Sequence, residues 1–491
     1  MTGVTGGMGL ETARQLLARS DRFDVRALAR PSKANQSLLK EFASDSAFEV
    51  VWGDMNDENA IRRCVAGADY VLHIGAFVSP AADKDPAQTL KTNLGSTRAI
   101  IKAIKAQPNP DGIKLAYIGT IAETGDRSDP IHWGRCGDPI KSSVYDYYAV
   151  SKIASEREVF ESGLKYWVSL RQTGINPPKE SAGGDPIIFH QPPNNVLEWI
   201  TATESGIMMA NLCEDWVPEE FWRSCYNIGG GKEWRLVNWE FVNKTLAPLG
   251  LRYEDVYDPR QMALYNFHGH WYTDSDVLND FLRFRCITPD MFYAAAAAEI
   301  EAIKANPALA AMLPTAAAMR ANNEAIGHQE RGFHWMFETN QEGWIKSFFG
   351  SRAKQAQIKS FAAGFELYRP SEEPVYLKHG YDESKPLTEL NLEDMKGAAI
   401  FRGGACLSKT MTKGDLYAPL RWRCAFGHEF DATPNLILRG GHWCPECERS
   451  KWNYAEIAKV NPFFAQVWNP IHGDGDEDAV VVVKEFNDQS V

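Results

Sequence analysis

Apolar residues Leu10, Ala13, Leu16 and Leu17 recur at helical spacing and predict a helix over residues 10–19. Short apolar runs at 24–29, 48–52, 70–74, 114–118 and 166–170 read as strands. Between them, 59–64, 94–106 and 148–162 carry helical patterns. Strands alternating with helices imply right-handed βαβ units and a parallel sheet with both faces covered, so an α/β doubly wound fold is expected. The alternation weakens after residue 190. Pro177-Pro178 and 191–195 mark loops, 197–213 resumes as a helix, and 225–228 is a short strand before Gly229-Gly230-Gly231. From 287 to 327 the chain is Ala-rich and helical, interrupted at Pro307 and Pro314. A Pro- and acid-rich linker follows at 369–386, then a small Cys/His-bearing module, an acidic turn at 473–478, and a Val480–Val483 run suited to an edge strand. The expected division is 1–255 for the α/β domain, 256–398 for a mainly helical accessory region, 399–452 for the module and 453–491 for the tail.

A length of 491 residues suits two or three domains. No long uncharged apolar run and no signal-peptide pattern is present, so no membrane partner is expected and a cytoplasmic protein is the default. The net charge of −12 argues against general nucleic-acid binding. The nine cysteines are scattered apart from one C-terminal cluster, which suits a reducing compartment with the cluster reserved for metal.

Two separated signals change the picture most. Thr2-Gly3-Val4-Thr5-Gly6-Gly7-Met8-Gly9 is a TGxxGxxG loop, and Tyr148-Ala149-Val150-Ser151-Lys152 is a YxxxK. Glycines at 3, 6 and 9 allow a tight turn, approach of backbone to a pyrophosphate and close helix packing, with the following helix N-terminus aimed at phosphate. The next strand ends Leu28-Ala29-Arg30, where an NAD site normally carries an acid for the ribose hydroxyl. A guanidinium there suits a 2′-phosphate, so NADP is favoured over NAD. Asp54, with Met55 beside it, follows the next strand and can accept from an adenine amino group. Gly75, Ala76 and Phe77 follow the next and can line a dinucleotide.

In this order the motifs resemble the extended short-chain dehydrogenase/reductase superfamily, that of NAD-dependent epimerases and dehydratases. Gly3/Gly6/Gly9, Gly53-Asp54, Ala76, Asn93, Thr120 with Gly125, and Tyr148/Lys152 carry the resemblance, which is good to about residue 175 and holds in outline to about 255. It implies a Rossmann-type sheet, a small-molecule substrate and a homodimer, although the sequence itself does not show dimerisation. Hydride transfer to a carbonyl leaves an alkoxide that needs a proton. Tyr148 can give it, with Lys152 one helical turn on to lower its pKa and hold the nicotinamide ribose. Tyr145 and Tyr147 lack such a lysine. Thr120, where the family more often has Ser, would hold the substrate oxygen, and Asn93 would steady the region. The chain departs from the family at Arg171-Gln172-Thr173-Gly174, which lacks the usual proline, and at Glu198-Trp199-Ile200-Thr201, which lacks an acidic pair. Those regions shape the substrate side, so the substrate does not follow from the family. Trp199, Met208, Met209 and Phe221 suit an apolar substrate, with core packing the preferred reading.

Only Met1 precedes the loop, where this fold has a central strand. The strands holding Val25 and Val71 are therefore expected to lack a shared neighbour, and the expectation is a chain whose start lies upstream, or a fragment.

Cys424, His428, Cys444 and Cys447 form CxxxH…CPxC, which resembles a zinc-ribbon knuckle. Three thiolates and an imidazole suit a closed structural zinc site in a module too small to fold alone. A redox Cys444/Cys447 pair, or His442 replacing His428, are the lesser readings. Arg421, Arg423 and Arg439 with Trp422 could touch nucleic acid, but a solvated surface is preferred. His268 and His270 read as core or loop histidines rather than a metal pair. The function expected is an NADP(H)-dependent oxidoreductase. The alternatives are an epimerase or dehydratase with internal hydride transfer and a non-catalytic cofactor-sensing scaffold.

Overall fold

The computed structural model describes residues 1–176 and 184–483. The expected loop at Pro177-Pro178 and the end of the 453–491 tail lie outside the described residues. Six parallel strands form the central sheet: β1 (Val25–Ala29), β2 (Phe48–Trp52), β3 (Tyr70–His73), β4 (Lys114–Thr120), β5 (Tyr166–Gln172) and β6 (Ser224–Ile228). One block runs β2-β1, with Ala29 opposite Trp52, and the other runs β3-β4-β5-β6, with Thr120 opposite Gln172.

Met1 and Thr2 join the blocks. Thr2 bridges both Leu28 and His73, Thr2 N donates to Leu72 O (2.9 Å), and Leu28 N donates to Met1 O (2.9 Å). The strands expected to have no shared neighbour therefore share one of two residues, at the ends that face the glycine loop.

Helices cover both faces of the sheet. α1 (Gly7–Leu17) packs with the later helix Ala202–Asn211 against Leu72, Ala116 and Val168. α2 (Glu58–Val65), α3 (Pro86–Lys105) and α4 (Tyr147–Phe160) cover the other face through Ile61, Ile100 and Val159. α3 begins eight residues earlier than its apolar pattern, because Asp85 caps it and Pro86 opens it. The expected helix over 197–213 is instead a strand, Val196–Glu198, followed by the helix Ala202–Asn211. Thr201 and Glu204 form a capping box that sets the helix start.

The accessory region contains α6 (Pro289–Lys304) and α7 (Ala316–Gly327), numbered with Ala202–Asn211 as α5. α6 is mostly exposed. The C-terminal module holds β7 (Ala405–Cys406), β8 (Leu420–Arg423) and β9 (Glu429–Ala432), an antiparallel sheet ordered β7-β8-β9. It is not an appendage: Leu420, Trp422, Leu436, Ile437 and Trp443 share one core with Tyr117, Phe160 and Trp167 of the α/β domain. Val481–Val482 pairs antiparallel with Lys451–Trp452, as an edge strand. Among the described residues no helix is long and apolar enough to cross a membrane.

Candidate active site and metal cluster

A cavity of about 830 Å³ opens where the strand ends meet the glycine loop, within the range of small-molecule and cofactor sites. Gly3, Thr5, Gly6, Gly7, Met8 and Gly9 form one wall. Gly3 has φ +75°, and a Cβ on Gly9 would stand 2.0 Å from Gly3 O, so this turn accepts no side chain at either place. α1 starts at Gly7, three residues before the expected start, with no side-chain cap and no acid in its first turn. Its first residues, Gly7, Met8 and Gly9, line the cavity, and an uncapped helix N-terminus suits an anion.

Arg30, Asp54 and Met55 line the cavity at one end, and Gly75, Ala76 and Phe77 along it. Arg30 is exposed, and no described residue pairs with its guanidinium. Asp54 Oδ1 accepts from Asn56 N (2.9 Å) and Asn56 Nδ2 (2.7 Å), which fixes its loop. Two expected site residues stand behind the wall. Thr2 Oγ1 lies 2.9 Å from His73 Nδ1 and accepts from Gly75 N (3.0 Å). Asn93 Oδ1 accepts from Phe77 N (2.7 Å), and its Nδ2 donates to Phe77 O (3.0 Å) and Ser151 Oγ (2.8 Å). Asn93 thus ties the Phe77 loop to α4 without lining the cavity.

Thr120, Tyr148 and Lys152 line the far end together. Thr120 ends β4, and Asp146 caps α4 by accepting from Ala149 N (2.7 Å). Burial pushes the Tyr148 phenol well above its usual pKa of 10, and a hydrogen bond with Thr120 is the foremost influence against it. Burial also pulls the Lys152 ammonium down to about 8, while Glu123 and Glu156 hold it up. Its Nζ lies 4.1 Å from the Tyr117 ring centroid. Lys152 therefore answers first to these buried acids and this ring.

The rest of the cavity was only partly legible in sequence. Gln172, Thr173, Gln191, Asn195, Asn238 and Trp199 line it, and so does His268 from the accessory region. Burial lowers the His268 pKa to about 4, so its imidazole is neutral, with Nδ1 4.0 Å from Asp146 Oδ2. The aromatic run around residue 268 was the available signal, but nothing local says which histidine turns inward. His270 is buried elsewhere, near Thr124. Met208, Met209 and Phe221 pack in the core, whereas Trp199 stacks on Phe241 at 4.1 Å and reaches the cavity.

In the module, Cys424, His428, Cys444 and Cys447 place their ligand atoms within 4.8 Å of one another. Cys424 Sγ is 3.9 Å from Cys447 Sγ, and His428 Nδ1 is 3.5 Å from Cys444 Sγ and 3.4 Å from Cys447 Sγ. A tetrahedral zinc with Zn–S bonds of about 2.3 Å separates its sulfurs by about 3.8 Å, so these four fit the ion. His442 instead contacts Glu156, 2.9 Å away. Arg421 pairs with Glu429 and Asp431, and Arg439 donates to Ser224 Oγ (2.6 Å), which leaves those two cations engaged within the protein.

Parts of the chain are similar to known proteins. The chain is 27% identical over 177 residues to the sterol demethylase protein B of Methylococcus capsulatus, covering 36% of this chain and 49% of that protein. It is 31% identical over 109 residues to a ketoreductase of Aspergillus fumigatus, covering 21% and 32%. The chain thus spans about half, or less, of the length of these relatives. A dTDP-glucose 4,6-dehydratase from Bacillus anthracis in complex with NAD aligns with a TM-score of 0.48 at 14% identity, covering 62% of this chain and 96% of that one. Residues 1–178 match the model of the NAD dependent epimerase/dehydratase family. That match is to a family of enzymes, and it includes the glycine loop, Thr120, Tyr148 and Lys152, which line the cavity together with residues beyond it.

Proposed function

We propose that the chain is an NADP(H)-dependent oxidoreductase that interconverts a carbonyl and a secondary alcohol, with Tyr148 as general acid/base. The observation that carries this reading is one cavity with the glycine loop and Arg30 at one end and Thr120, Tyr148 and Lys152 at the other. The loop and the α1 N-terminus would hold the pyrophosphate, Arg30 a 2′-phosphate, and Lys152 the nicotinamide ribose. When bound, the nicotinamide gives hydride to the carbonyl carbon or takes it from the alcohol. Thr120 donates a hydrogen bond to the substrate oxygen. Tyr148 is a neutral phenol at pH 7 because it is buried, so it gives its proton to that oxygen in reduction. The Lys152 cation then offsets the charge left on the phenolate.

An epimerase or dehydratase would use the same residues for internal hydride transfer. The Aspergillus fumigatus relative, named a ketoreductase, supports net reduction. The four C-terminal ligands support a structural zinc with no open position. None of the nine cysteines is joined in a disulfide, which supports a reducing, cytoplasmic setting.

The test is titration of the purified chain with NADPH and NADH, followed by nucleotide fluorescence and thermal shift. NADPH should bind more tightly, and Arg30→Ala should weaken it by about 10- to 100-fold, the worth of a charge-assisted contact, while leaving NADH unchanged. Equal binding of both nucleotides to the wild type and to the variant would overturn the NADP assignment. Binding of neither would overturn the oxidoreductase reading.

A further inference from the structure

Tyr148, Lys152 and Glu156 follow one another at four-residue intervals on one face of α4. The third of these, Glu156, is completely buried and saturated. Its Oε1 accepts from Ser169 Oγ (2.6 Å) and Arg171 Nε (3.1 Å). Its Oε2 accepts from Arg171 Nη2 (2.7 Å) and lies 2.9 Å from His442 Nε2. Arg171 Nη2 also donates to Gly440 O (2.7 Å), and Arg171 Nε lies 3.5 Å from Glu123 Oε2. Glu123 in turn accepts from Thr120 N (2.9 Å). One enclosed polar network therefore runs from the C-terminal module, through β5 and α4, to the backbone of Thr120 beside Tyr148.

The module grips α4 at two further points. Arg157 donates to Trp443 O (2.7 Å) and Glu448 (2.9 Å), and Glu161 accepts from Thr433 N (3.0 Å) and Oγ1 (2.8 Å). These contacts alone would dock the module. Burying Glu156, Arg171 and His442 as well costs desolvation that apolar packing would avoid, so the network is poorly explained as an adhesive. Its position explains it better. The groups that face Lys152 are Tyr148 on its own helix, Tyr117 on β4, Glu123 in the turn after β4, Glu156, and His73 on β3. Two of them are members of the network.

We propose that Glu156, locked by Arg171 and by His442 of the C-terminal module, is a positioning residue that sets the charge and placement of Lys152, so that the module is a working part of the hydride-transfer site. This rests on the function proposed above. Glu156 acts through Lys152 and touches no reacting atom. Its carboxylate is held well below the usual range by Arg171 and His442 against burial, so it presents a fixed negative charge one turn from Lys152.

The experiment is the pH dependence of Lys152 acetylation by acetic anhydride, read by peptide mass spectrometry on the full chain. It needs no substrate. Glu156→Gln keeps the shape and removes the charge, and should lower the midpoint of Lys152 reactivity by about one pH unit. His442→Asn weakens a hydrogen bond that draws on the Glu156 carboxylate while Arg171 keeps it ionised, and should move the midpoint the opposite way, upward. Glu161→Ala, which loosens the module at Thr433 without touching the network, should leave it where it is. An unchanged midpoint in folded Glu156→Gln overturns the proposal. Should that variant not fold, His442→Asn decides: a midpoint that does not rise overturns the proposal. An equal shift in Glu161→Ala would also overturn it, because general loosening would then suffice. NADPH titration of the same samples reads the oxidoreductase assignment separately: the wild type failing to bind defeats that assignment, and the acetylation midpoints still report on Glu156.

Discussion

Replacing His73 by Gln isolates one buried titration and tests how the glycine loop is tied to the sheet. The His73 ring ends β3 and is enclosed. Its Nδ1 is 2.9 Å from Thr2 Oγ1 and its Nε2 3.2 Å from Thr97 Oγ1. Gly75 N donates to Thr2 Oγ1, and Thr97 Oγ1 donates to Asn93 O (2.8 Å). The chain closes with a neutral imidazole that carries its proton on Nε2: Thr2 donates to Nδ1, and Nε2–H donates to Thr97. A second ring proton would face the Thr2 hydroxyl and strand its hydrogen. Burial first, then the Lys152 and amino-terminal charges, lowers the His73 pKa from 6.5 to about 3. The unfolded chain takes up this proton below about 6.5, and the folded chain does not until about 3. Stability held by the neutral ring is therefore full above pH 6.5 and is lost between 6.5 and 3 as pH falls. At pH 5 the gap of about 1.5 units corresponds to about 2 kcal/mol. Gln does not titrate, and the other groups cancel in the difference. The stability of wild type minus His73→Gln should thus fall by about 2 kcal/mol between pH 7.5 and pH 5. Urea unfolding followed by tryptophan fluorescence at both pH values measures it. A difference that stays constant within about 0.5 kcal/mol would refute the reasoning, because His73 would then take its proton as readily folded as unfolded.

Tyr148→Phe removes the transferable proton but not the cavity. Carbonyl reduction should drop by about 10²- to 10⁴-fold with NADPH affinity unchanged; activity retained in a steady-state assay would remove Tyr148 from the proton path. Metal analysis should find one zinc per chain, and Cys447→Ser should lose it. The variant should also change the emission of Trp443, which packs edge-on against Trp422 at 5.8 Å. A fully folded chain free of metal would show that the four ligands do not staple the module.

The glycine loop was legible in the sequence because its constraint is local. A Cβ on Gly9 collides with Gly3 O whatever the rest of the chain does, so spacing alone reports it. The βαβ alternation is legible for the same reason, since each strand and helix of the sheet repeats its own period. Local reasoning failed where a distant partner decides. The 197–213 stretch has enough apolar residues for one helix, but Val196–Glu198 pairs antiparallel with Arg235–Val237 and buries Glu198 under Arg235. No helical pattern encodes that pairing. Asn93 was found by its motif, while its work, bridging Phe77 and Ser151, exists only after α3 and α4 are packed together. His442 is the extreme case. In sequence it is a spare histidine beside CPxC, and its partner Glu156 lies 286 residues away. Yet Arg171, noticed first because a proline is missing beside it, carries both ends of the explanation. Its guanidinium holds Glu156 and the Gly440 carbonyl at once. One side chain of β5 thus ties the buried carboxylate of α4 to the C-terminal module.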